Sequence, residues 1–128
     1  MGVLSGERIG RLSLRLDAAY CAVLGVSVAV AAPFVAALLP VPPWAAAVVG
    51  LVVVFWAGLI RLMAASWPLR AVLRVVMWVN LLAAALVAAT SFVGPTLSVV
   101  LVVLAVAVDV VLFAASQAVA LRRLRSAL

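Results

Sequence analysis

Three acids and one thiol are the only side chains in this sequence with obvious reactive chemistry: Glu7, Asp17, Asp109 and Cys21, with no histidine and no lysine. Asp109 has the most unusual setting. It sits in an apolar run, twelve residues after Leu97 and twelve before Leu121. On a helix that is about 18 Å from either end. A central membrane aspartate costs about 2.5–3.5 kcal/mol on insertion scales. A polar partner is therefore expected. Asn80 is one candidate, about 15 Å into the preceding run if that run starts at Arg70. Ser116, seven residues after Asp109 on the same helix face, is the other. Asp109, Asn80 and Ser116 form a candidate intramembrane polar cluster. Three uses of Asp109 stay open: a hydrogen-bonded packing contact, a binding or relay point for a proton or cationic substrate, and a headgroup contact.

Catalysis is not expected. Intramembrane serine proteolysis needs a Ser–His pair, and histidine is absent. Intramembrane aspartyl proteolysis needs two facing aspartates, whereas Asp17 and Asp109 differ in depth by roughly 15 Å or more. No Cys/His/Asp group has metal-ligand spacing, and no glycine-rich phosphate loop appears. No metal and no cofactor are therefore expected. Asp17 lies two residues after Arg15, at the depth expected for Arg61 and Arg74. Ion pairing of Asp17 with Arg61 or Arg74 at the inner boundary is the expectation. Cys21 reads as a small packing residue, and one cysteine allows no intrachain disulfide.

The elements that must position these residues are apolar helices. Of 128 residues, 71% are hydrophobic and 9% are charged, against about 25% charged in soluble domains. The chain carries a net charge of +6, all of its cations being arginine. They form three clusters: Arg8, Arg11 and Arg15; Arg61, Arg70 and Arg74; Arg122, Arg123 and Arg125. The junctions at Pro40–Pro43 and Gly94–Thr96 carry no charge. By the positive-inside rule both ends are cytoplasmic. The expected fold is all-α, an integral membrane four-helix transmembrane bundle forming one domain over residues 1–128. Spans are expected at about 16–39, 44–62, 70–93 and 97–121, after an amphipathic lead-in at about 5–15. The arginine clusters would meet anionic lipid headgroups. No aromatic-interleaved basic face exists for nucleic acid.

Local signals refine this. Pro33 should bend the first span, and Pro43 can start the second because its missing N–H would be unpaired there anyway. Ala46 and Gly50 form a small-xxx-small pair suited to close helix contact, with Gly58 on a similar face. Gly94-Pro95 should break the helix between the last two spans. A rival reading makes residues 1–31 a secretory signal, with Ala29-Val30-Ala31 as the cleavage site. The apolar run continues to Leu39, long enough to cross, so the first span is expected to stay attached.

The RLDA entry to the first span, the arginine-bounded third span with Asn80, and Asp109 followed by Phe113, Gln117 and ALRR resemble short four-span integral membrane proteins of actinobacteria. The resemblance implies a location in the bacterial cytoplasmic membrane and little about activity. A small non-enzymatic membrane protein with an accessory or assembly role is the expected function. The alternative is a small oligomeric, proton-coupled transporter or channel using Asp109. The expected partner is a second copy of the chain or another membrane protein.

Overall fold

The computed structural model describes residues 2–93 and 96–126. The chain is an all-α bundle built on four long apolar helices. Helix α1 spans Gly2–Val30 and the short α2 spans Ala32–Leu38. Helix α3 spans Pro43–Ser66, α4 spans Leu69–Ala89, and α5 spans Leu97–Ser126. One 3₁₀ turn, Thr90–Val93, extends α4. The expected lead-in at 5–15 is not a separate element; it is the first half of α1, because nothing in Gly2–Val30 interrupts backbone hydrogen bonding. The break falls at Ala31, where Pro33 in the next turn lacks an N–H to continue the ladder. Helix α5 runs past the expected end near 121, since ALRRLR contains no glycine or proline. The expected break at Gly94-Pro95 lies outside the described residues.

Prolines set the other boundaries. Pro43 opens α3, where a missing donor costs nothing. Trp67 precedes Pro68 and is extended, at φ −107° and ψ 157°, which stops α3. Helix α4 then restarts at Leu69.

Helix α1 packs along its length on α3 and on α5, and α5 packs on α4. Helix α4 meets α1 and α3 only over short stretches. The helices therefore follow the order α3–α1–α5–α4 across the molecule. All four meet at the arginine-bearing end. The core there takes Leu14 and Ala18 from α1, Ile60 and Met63 from α3, Val72, Leu73 and Val76 from α4, and Ala120 and Leu124 from α5. Arg70 Nη2 donates to the Leu124 carbonyl oxygen at 2.8 Å and ties α4 to the last turn of α5.

Helices α1 and α3 cross at paired glycines. A Cβ on Gly50 would lie 2.6 Å from the Ala29 nitrogen and 2.6 Å from the Gly25 oxygen. Backbone touches backbone there, as the Ala46–Gly50 pair suggested. Gly58 does not belong to this contact: a Cβ on it would meet nothing within 4 Å. Eight residues at about 100° each leave it about 80° around the helix from Gly50.

Candidate functional site

The polar residues gather on the seam between α1 and α5. On α1, Gly6, Gly10, Ser13, Asp17 and Tyr20 recur at spacings of four, three, four and three. That rhythm keeps one stripe of a helix facing a neighbour over several turns. Helix α5 runs antiparallel along the stripe. A Cβ on Gly6 would lie 3.0 Å from the Leu124 nitrogen, so the helices nearly touch at that end.

Two to three turns further in, the seam holds a closed polar triad. Asp17, Asn80 and Gln117 come from α1, α4 and α5, and all three are buried. Asn80 Nδ2 donates to Asp17 Oδ2 at 2.6 Å and to Gln117 Oε1 at 3.2 Å. Gln117 Nε2 donates to the same Asp17 Oδ2 at 2.8 Å. The Cys21 thiol donates to Asp17 Oδ1 at 3.5 Å. Each side chain of the triad therefore has at least one hydrogen-bond partner, as burial away from water requires. By contrast, the Trp56 indole nitrogen is buried and has no partner among the described residues.

The other side of the seam opens as a groove of about 500 Å³. Helix α1 lines it with Ile9, Leu12, Ser13, Leu16 and Tyr20. Helix α5 contributes Asp109, Leu112, Phe113 and Ser116. Ser13 and Ser116 meet across its floor at 2.7 Å. Ser116 also donates to the Phe113 carbonyl oxygen at 2.7 Å, which leaves Ser13 as the donor between the two hydroxyls. Tyr20 donates to Asp109 Oδ2 at 3.0 Å. The Tyr20 and Phe113 rings lie 5.4 Å apart, tilted by 59°. Asp109 itself is exposed, and no donor besides Tyr20 reaches its carboxyl among the described residues.

The expected cluster is therefore split in two. Asp109 and Ser116 share the groove, one heptad apart, but Asn80 is turned to Asp17 and Gln117. Asp109 and Gln117 are eight residues apart on α5, about 12 Å along the axis, so Asn80 meets the second and not the first. The expected ion pairing of Asp17 with Arg61 or Arg74 is not formed among the described residues, whose one ion pair is Arg11–Glu7 at 3.2 Å. Asp17 stands about 200° around α1 from Arg15, so it points into the bundle while the arginines stay at the surface. Four participants went unforeseen: Gln117, Ser13, Tyr20 and the buried role of Asp17. The Gly6-Gly10-Ser13-Asp17-Tyr20 spacing was the signal that would have found three of them. Among the described residues no group of His, Cys, Asp or Glu could hold a metal ion.

Helices α1, α3, α4 with its 3₁₀ extension, and α5 are each long and apolar enough to cross a bilayer. Their outward faces present bulky apolar side chains such as Leu51, Phe55, Trp78, Leu82 and Leu101. Fold and surface together define a multi-pass, all-α membrane protein. Comparison with protein-family models, with curated proteins and with solved structures found no match to this chain.

Proposed function

We propose that this protein is a non-enzymatic component of the bacterial cytoplasmic membrane, with both ends cytoplasmic. Its role is accessory or assembly, exerted by holding another bilayer-embedded molecule against the α1–α5 groove. The observation that carries this reading is Asp109: a carboxyl group near the middle of α5, open to an apolar groove, with Tyr20 as its single donor among the described residues. Hydrocarbon offers no hydrogen bond to the rest of that group. A membrane-embedded partner that presents a donor or a cation does.

The orientation rests on the positive-inside rule applied to nine arginines gathered at one end. Alkaline phosphatase fused after Pro42 should be active, and fused after Arg125 inactive; activity of the second fusion would overturn the orientation. The binding role is tested by placing a photocrosslinking residue at Leu112, in the groove, or at Val52, on the exposed face of α3. In native membranes Leu112 should give a discrete adduct that weakens with Asp109→Asn, and Val52 should give none. Equal adducts from both positions would refute a binding face on α1–α5. An adduct of twice the chain mass would identify the partner as a second copy.

A second reading is favoured by the same exposure. Beyond its bond from Tyr20, Asp109 opens onto a groove, as a proton-coupled transporter or channel would need. In reconstituted vesicles Asp109→Asn would then abolish a pH-dependent flux. Unchanged flux removes this reading.

A further inference from the structure

The arginine end carries a second recess, independent of the α1–α5 groove. It is a cleft of about 210 Å³ between α1, α3 and the start of α4. Arg11, Arg15 and Arg61 border it, and Leu14, Ile60 and Leu69 are among its apolar lining. Ala64 and Ala65 keep its α3 wall low. The charge around it is unbalanced. Glu7 pairs with Arg11, and Asp17 is consumed in the buried triad. Asp109 bonds Tyr20 elsewhere on the seam. Among the described residues, Arg15 and Arg61 have no carboxylate within ion-pair distance. Two guanidinium groups facing one recess repel each other unless an anion lies between them. Guanidinium forks match phosphate oxygens in pairs, which a lone ammonium does not.

We propose that this cleft binds one phosphate group, that of an anionic phospholipid headgroup, held between Arg15 and Arg61 with Arg11 at the rim. The cleft lies at the arginine-bearing end of the bundle, against the last turns of α3 and the first residue of α4, the end that the proposed orientation turns to the cytoplasmic headgroups. The apolar floor excludes water beneath the phosphate and strengthens the pairing. This differs from a general attraction of basic segments to a charged leaflet, because it assigns one stoichiometric site to two of the nine arginines.

Native mass spectrometry of the full chain, released from detergent with phosphatidylglycerol or phosphatidylcholine of matched acyl chains, tests it. One phosphatidylglycerol should be retained with about ten-fold preference, a difference of about 1.4 kcal/mol. The double variant Arg15→Gln/Arg61→Gln should lose that preference, whereas Arg122→Gln/Arg125→Gln, with the same net charge, should keep it. Arg15→Lys/Arg61→Lys keeps the charge without the fork and should bind several-fold more weakly. It also serves if the glutamine variant fails to fold. A second arm adds inorganic phosphate: failure to displace the lipid assigns the site to the headgroup, and displacement at the same two arginines assigns it to a free anion. Equal losses from the two glutamine pairs, or a preference that survives Arg15→Gln/Arg61→Gln, would overturn the proposal.

Discussion

Replacing Asp17 by asparagine and by leucine should separate a hydrogen-bonded keystone from a dispensable charge. Both amide donors of the triad, from Asn80 and from Gln117, converge on one oxygen, Asp17 Oδ2. The other oxygen accepts only the Cys21 thiol. Asparagine can keep its oxygen where Oδ2 is and turn its NH2 towards the sulfur. It preserves both amide bonds at nearly the same volume. Leucine removes both. Asn80 Nδ2 still reaches Gln117 Oε1, but Gln117 Nε2 loses its acceptor in a site of 0% exposure. Both variants lack the carboxyl, so its burial cost cancels between them. An orphaned buried donor costs about 1–3 kcal/mol, and one lost interhelical bond in a membrane about 0.6–1.7 kcal/mol. The leucine variant should thus be about 2–5 kcal/mol less stable than the asparagine variant. Unfolding in mixed micelles, titrated with a denaturing detergent, reads this difference. Equal stability of the two variants would refute the claim that the triad fastens α1 to α4 and α5.

Gly50→Ala places a methyl group 2.6 Å from backbone atoms of α1, and overpacking of this kind should cost about 1–3 kcal/mol in the same assay. Gly58→Ala meets nothing within 4 Å and should be neutral or stabilising by up to about 1 kcal/mol through helix propensity. Trp56→Phe deletes a buried donor that has no partner, so it should alter stability by less than about 1 kcal/mol despite the lost ring area. The mature protein should retain α1, because Leu14, Ala18 and Asp17 belong to the core; an intact mass matching a chain that starts at Ala32 would show otherwise.

The class of fold was legible from composition and charge placement alone. Apolar runs of about 20 residues have one solution in a bilayer, a helix whose backbone satisfies itself. Pro33, Pro43 and Pro68 act through local rules: Pro33 breaks the run at Ala31 where a bend was expected, Pro43 opens α3, and Pro68 separates α3 from α4. Ala46 and Gly50 also signalled their contact locally, since small residues four apart make a flat helix face. Partner choice was not local. Asp17 and Gln117 are 100 residues apart and Tyr20 and Asp109 are 89 apart. Which face of α1 meets α5 depends on rotation and register that all four helices set together. Asp17 looked like a boundary charge because Arg15 is its near neighbour in sequence; the helix turned the two to different sides. Asn80 is polar and inside a span, which made it the expected partner of Asp109; eight residues along α5 decide that it meets Gln117 and Asp17 instead. Sequence determined that polar groups inside the bilayer must find donors and acceptors. Only tertiary structure decided that one set closes on itself in the core, while Asp109 is left facing an open groove.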